Sequence, residues 1–176
     1  MKVTNYQECL DWLYSFPTHK SFPPSFESIK AMLAYLGNPQ ERAKIIHVAG
    51  TNGKGSISAY LHTIMQKAGY KCGLYISPYL QKFNERVQID APIEDEMIVK
   101  GFNLIGEAIE KTNVKTNQFE IITTLGLWYF DQQNVDCSVI EVGLGGKYDS
   151  TNIIDNPMIS VIAAIGFDHM EYLGNT

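Results

Sequence analysis

Cysteine is scarce in this sequence: Cys9, Cys72 and Cys137 are odd in number, far apart and in no Cys-x-x-Cys pair. That excludes a disulfide framework and a thiolate zinc site and leaves ordinary reduced thiols. No run approaches the roughly 18 apolar residues of a membrane-spanning helix, and the start Met-Lys-Val-Thr-Asn-Tyr-Gln-Glu lacks the apolar core of a signal peptide. The cytoplasm is the expected address, with no membrane partner. Basic residues are a minority, 14 against 19 acidic ones for a net charge of −5, and none gather into a stripe that would neutralise a phosphate backbone. Nucleic acid is therefore not an expected partner. Repeats, low-complexity tracts and linker-like composition are also missing. With 45% hydrophobic residues in 176, one domain spanning 1–176 is expected, a helical segment at 1–43 leading into an α/β core at 44–176.

The apolar pattern supplies the elements. Tyr6, Cys9, Leu10, Leu13 and Phe16 recur at helical spacing until Pro17, and Ile29, Met32, Leu33 and Leu36 do so until Gly37 and Asn38, with Pro39 marking the stop. At 45–49 the run Ile-Ile-His-Val-Ala reads as a strand buried on both faces. A glycine-rich turn follows at 50–56, and then Ile57, Tyr60, Leu61, Ile64, Met65 and Ala68 form a helix closed by Gly69. Residues 72–77, 137–142 and 158–165 read as further strands, giving at least four parallel strands, with a short arm at 87–90. Helices are predicted around 98–109, after an acidic start, and over 119–133; both are expected to cover the sheet. The fold class is α/β, a mostly parallel sheet flanked by helices.

The segment Gly50-Thr51-Asn52-Gly53-Lys54-Gly55-Ser56, between a buried strand and an amphipathic helix, reads as a phosphate-binding P-loop. Glycines let backbone N–H groups approach phosphate oxygens, the helix N-terminus adds its dipole, Lys54 brings a mobile positive charge, and Ser56 brings a hydroxyl for magnesium or a phosphate oxygen. The match to G-x-x-x-x-G-K-[ST] is imperfect, since Val48 takes the first glycine position and Gly55 separates Lys54 from Ser56. The plainer alternative is a glycine turn with Lys54 on the surface.

His47-Val48-Ala49-Gly50-Thr51-Asn52-Gly53-Lys54-Gly55-Ser56 resembles the P-loop of the folylpolyglutamate and dihydrofolate synthases of the Mur ligase superfamily. Three more stretches agree in order and approximate spacing: Ser77-Pro78 with Phe83-Asn84-Glu85-Arg86-Val87, Glu141-Val142-Gly143-Leu144-Gly145-Gly146 with Asp149-Ser150-Thr151-Asn152, and Asp168-His169. The resemblance implies a domain of the Mur ligase central type that binds ATP and magnesium. It further implies a ligase that activates the carboxylate of a folate or dihydropteroate as an acyl phosphate and joins L-glutamate to it, as a monomer in its full-length form. Lys54 would act on the transferring phosphoryl group, and Ser77, Glu141 and His169 would help hold magnesium. Phe119, Glu120 and Tyr148 would lie on the pterin side, and the loop at His19-Lys20-Ser21 corresponds loosely to one that touches the folate.

Each of these residues has a structural alternative. Ser77 could cap a turn, Glu141 could be a buried carboxylate paired with a lysine, His169 a loop histidine and Phe119 a core residue. His47 is expected to pack in or beside its strand and His62 on the following helix, neither with a catalytic role. Departures from the resembled pattern fall on the substrate side: Tyr79 where histidine is frequent, Lys147 in place of an arginine, Tyr148 in place of an aliphatic residue. Relatives of this kind continue to a carbamylated lysine and a C-terminal domain, so the present chain is expected to correspond to their nucleotide-binding part, the C-terminal domain being absent. A non-catalytic nucleotide-binding module and a Mur ligase of peptidoglycan synthesis are the alternatives.

Overall fold

The computed structural model describes residues 2–18 and 25–175; the loop residues His19, Lys20 and Ser21 lie outside them. In chain order the helices and strands are α1 (Tyr6–Tyr14), α2 (Glu27–Tyr35), α3 (Pro39–Arg42) and β1 (Ile45–Ala49). Next come α4 (Lys54–Lys67), β2 (Cys72–Tyr75), β3 (Val87–Gln88), α5 (Asp95–Thr112) and α6 (Gln118–Gln132). The chain then runs through β4 (Cys137–Glu141), β5 (Ile159–Ile162) and α7 (Met170–Leu173). They divide between two compact units, one of 1–42 with 93–134 and one of 43–92 with 135–176.

The first unit is helical. Asn5 caps α1 by accepting the Glu8 N–H at 3.0 Å, one of the orphan donors of a helix start. Cys9 and Leu13 of α1, Ile29, Met32 and Leu33 of α2, and Ile98, Phe102 and Ile105 of α5 are fully or almost fully buried. The helices predicted at 98–109 and 119–133 are α5 and α6, and within this unit they pack on α1, α2 and α3. Periodicity identifies a helix but does not say what it covers. Pro39 differs from expectation too: it opens α3 instead of only marking a stop, because proline lacks just the N–H that the first helical position leaves unused.

The second unit holds a five-stranded sheet of order β3-β2-β4-β1-β5. β2, β4, β1 and β5 run parallel, and β3 pairs antiparallel with β2. Every residue of β4 and four of five in β1 are buried, which is why these strands read as unbroken apolar runs. Ile46, Val48, Cys72, Leu74, Cys137 and Val139 form the core, against which Ile57, Leu61 and Met65 of α4 pack. The chain leaves β1 toward β2 on one side and leaves β4 toward β5 on the other, and β1 and β4 are neighbours. Diverging connections of this kind open a crevice at the carboxyl ends of the two strands.

Candidate functional site

That crevice is built from the loops following β1, β4 and β5. It is a cleft of about 170 Å³ whose walls include Gly50, Thr51 and Lys54, then Gly143, Leu144 and Gly145, then Asp168 and His169. Gly50 and Gly53 account for the glycines of the first loop. Gly50 has φ 138° and a Cβ there would come within 2.8 Å of the Ala163 Cβ, while Gly53 caps α4 at φ 85°, a region open to few side-chain-bearing residues.

The P-loop amides fall into two groups. Thr51 N and Asn52 N both donate to the Ala164 carbonyl, at 2.8 and 3.2 Å, and the Thr51 hydroxyl bridges Gly166 O and Gly166 N at 3.0 and 3.1 Å. Thr51 and Asn52, expected as phosphate contacts, therefore tie the loop to the segment after β5. Helical bonding begins with Ile57 N to Gly53 O at 2.9 Å, so the amides of Lys54, Gly55 and Ser56 form the first turn of the 14-residue α4, where an N–H has no intrahelical acceptor. These are the donors aligned with the positive end of the helix dipole. Lys54 Nζ rests on Thr51 O at 3.2 Å, and Ser56 is exposed.

Glu141 ends β4 and is only 4% exposed. Its Oε2 accepts the Ser77 backbone N–H at 3.0 Å, which brings these two residues together after adjacent strands. Burial raises the Glu141 carboxyl above its ordinary range, and the Ser77 amide, Lys54 and Arg86 pull it back. Lys54 and Arg86 act through space, since no ion pair to Glu141 occurs among the described residues. A Cβ on Gly55 would stand 3.6 and 3.7 Å from the two Glu141 oxygens, so the glycine keeps the space between α4 and the carboxylate clear. The donor chemistry suits magnesium: a nearly buried carboxylate with a single hydrogen bond, from the Ser77 backbone, offers hard oxygens and leaves other coordination positions to water and phosphate. Among the described residues no cluster of three His, Cys, Asp or Glu side chains encloses a metal.

The remaining candidates are more dispersed. His169 is the left-handed N-cap of α7, half exposed, 3.8 Å from Asp168, and lines the cleft with Lys54; Ser77 and Glu141 are not among the lining residues. Tyr148 is exposed, with Lys147 Nζ 5.3 Å from its ring centre. Phe119 and Glu120 begin α6 in the helical unit. Glu120 is 2% exposed and fully engaged, accepting the Ser28 hydroxyl at 2.8 and 2.9 Å, the Thr116 hydroxyl at 2.8 Å and the Asn117 N–H at 3.3 Å. It completes a capping box with Asn117.

Two contributors were given no role from the sequence although both lie in stretches that carry the resemblance, Arg86 and Asp149. Arg86 lowers the Glu141 carboxyl through space, and its guanidinium lies 5.2 Å from the Tyr79 ring centre. Asp149 accepts the Leu144 N–H at 2.8 Å and so shapes the glycine loop of the cleft. The Asp-x-Thr spacing of 149–151 is the local signal for such a capping carboxylate.

Comparison with known proteins joins this geometry to a family. The model of the Mur ligase middle domain matches residues 48–176. The chain belongs to the Mur ligase family. This Mur ligase chain is 41% identical over 178 residues to the folylpolyglutamate synthase of Lacticaseibacillus casei, covering 98% of the chain and 41% of that enzyme. It is 39% identical over 179 residues to the dihydrofolate synthase/folylpolyglutamate synthase of Bacillus subtilis, with coverage of 98% and 41%. A solved structure described as an "FPGS-AMPPCP-folate complex" superposes with a TM-score of 0.93 at 40% identity, over 98% of this chain and 43% of that one. The Mur ligase chain thus spans about two fifths of the length of these relatives.

Proposed function

We propose that this chain is the nucleotide-binding part of an ATP-dependent ligase that joins L-glutamate to a folate, as a folylpolyglutamate synthase, a dihydrofolate synthase or both. The observation that carries the proposal is Glu141. It is a buried carboxylate with one hydrogen bond, next to the amide-rich start of α4 at the carboxyl end of β4. The similarity to folylpolyglutamate and dihydrofolate synthases and to a structure described as binding AMPPCP and folate supports the choice of nucleotide and acceptor.

A carboxylate is a poor electrophile, and phosphorylation gives it a leaving group. In the proposed reaction a folate carboxylate oxygen bonds to the γ-phosphorus of ATP, the bond to the β-phosphate oxygen breaks, and ADP leaves. The glutamate amine then attacks the acyl carbon, phosphate departs and the nitrogen gives up a proton. The amides of Lys54, Gly55 and Ser56 and the Lys54 ammonium would hold the phosphates and offset the charge carried by the transferring group. Thr51 and Asn52 would keep the loop in place through Ala164 and Gly166. Ser77 and Glu141 would hold magnesium, with His169 reaching it directly or through water; when bound, the ion supplies positive charge beside the phosphate oxygens. Phe119 and Tyr148 are proposed for the pterin side. Glu120 would act there by fixing the first turn of α6, which carries Phe119. No helix is long and apolar enough to cross a membrane among the described residues, and the proposed setting is a cytoplasmic enzyme that works on small molecules as a monomer.

The test is ADP release from ATP and magnesium with glutamate and either tetrahydrofolate or dihydropteroate, on this chain and on one extended to the length of its relatives. Release that needs both the folate and glutamate, and that Lys54→Ala abolishes, is expected from the extended protein. Release indifferent to both acceptors would overturn the ligase reading and leave a nucleotide hydrolase.

A further inference from the structure

The mechanism makes no use of one buried polar chain in the sheet unit. His47 sits in the middle of β1, 8% exposed, with its Nε2 2.8 Å from the Thr151 hydroxyl oxygen. That hydroxyl is 2.6 Å from Asp149 Oδ1, which also accepts the Thr151 N–H at 3.0 Å. The other carboxylate oxygen, Oδ2, accepts the Leu144 N–H at 2.8 Å. Leu144 belongs to the Gly143–Gly146 loop, whose turn is closed by Asp149 N donating to Gly146 O at 3.0 Å.

Hydrogen counting sets the direction of the chain. The Thr151 hydroxyl has one proton, which goes to the carboxylate oxygen. Its oxygen must then accept, so His47 carries its proton on Nε2 and donates it. A neutral ring suits this arrangement, and burial holds the His47 imidazole below its ordinary range. Thr151 has no exposed surface and Asp149 very little, so each bond is protected from competing water and losing a partner leaves the rest unsatisfied.

None of the three side chains lines the cleft, whereas Gly143, Leu144 and Gly145 do. Gly145 and Gly146 hold φ of 68° and 156°, so the loop's backbone is free to take other shapes unless something fixes it. We infer that His47, Thr151 and Asp149 are positioning residues, a buried relay that fixes the Gly143–Gly146 loop from the strand that also carries the P-loop. The two loops facing the nucleotide are thereby kept in one register. This inference rests on the nucleotide reading of the cleft.

Thr151→Val keeps the shape of the side chain and deletes the hydroxyl; Thr151→Ser keeps the hydroxyl. Hydrogen exchange at individual amides, followed by NMR, reads the loop directly, and calorimetric titration with ADP and magnesium reads the cleft. In Thr151→Val the Leu144 amide is expected to exchange about tenfold faster and ADP to bind about tenfold more weakly, with the amides of β1 and β4 as protected as before. Thr151→Ser should restore both. Unchanged exchange at Leu144 in Thr151→Val would overturn the relay, and so would equal acceleration across β1, β4 and the loop, which would mark general loosening. If the unaltered chain binds no ADP, the nucleotide reading fails by itself, and exchange at Leu144 in the three proteins still decides whether the relay holds the loop.

Discussion

Glu120 of the helical unit and Glu141 of the sheet unit are carboxylates of nearly equal burial, 2% and 4% exposed, in opposite circumstances. Glu120 accepts from the Ser28 and Thr116 hydroxyls and the Asn117 N–H and closes a capping box. Glu141 accepts one N–H, from Ser77, and the cations that act on it, Lys54 and Arg86, stop short of an ion pair among the described residues. A buried carboxylate satisfied on all sides belongs to the architecture. One satisfied on a single side, beside a helix start, has capacity in reserve for a cation. Burial by itself does not distinguish the two; the count of donors does.

Removing each group should separate these roles. The largest stability loss is expected for Glu120→Ala, about 3 kcal/mol, because it strands buried hydroxyls and an amide and removes a helix cap; chemical denaturation measures it, and nucleotide affinity provides the contrast. Lys54→Ala should leave the melting temperature in place yet weaken ADP binding by about 2 kcal/mol, the scale of a hydrogen bond from a charged donor, as read by calorimetry.

Glu141→Gln should reverse the pattern of Glu120→Ala. The Glu141 pKa is raised in the folded chain, so folding favours its protonated form. Its contribution to stability is present below the unfolded value and is lost as pH rises through the folded one. Without magnesium, the unaltered chain should therefore lose more stability than Glu141→Gln as pH rises above the ordinary carboxylate range. Asp149 shifts in the same direction, so the difference between the two proteins is the quantity to read in thermal melts. Magnesium should restore the unaltered chain at pH 8 and leave the variant unmoved. The smallest effect is expected for Gly55→Ala: a gain in helix stability of under about 1 kcal/mol, with weaker magnesium dependence of ADP binding because the new Cβ stands before both Glu141 oxygens.

The sheet and the glycine loop between β1 and α4 were legible because their signals are local. Buried parallel strands are continuous apolar runs, and a glycine loop between a strand and an amphipathic helix gathers its backbone donors, its lysine and its helix start into one short stretch. Ser77 and Glu141 could be placed at strand ends for the same reason. What stayed hidden depends on contacts distant in sequence. Nothing near Thr51 and Asn52 shows that their amides are occupied by Ala164, more than a hundred residues on. Nothing near Glu120 points to Ser28, 92 residues earlier. His47 read as a strand residue, which it is, but its partner Thr151 is 104 residues away. Helix periodicity likewise located α5 and α6 without naming α1–α3 as the helices they pack against.

In the proposed function the cleft after β1 and β4 takes a magnesium nucleotide, and Glu141 at the end of β4 is the carboxylate held ready for the ion. Calorimetric titration of ADP with and without magnesium, on the unaltered chain and on Glu141→Gln, tests it most directly. Magnesium is expected to tighten ADP binding about tenfold or more in the unaltered chain and to have no effect in the variant, both proteins being equally folded. The same magnesium dependence in both would contradict it.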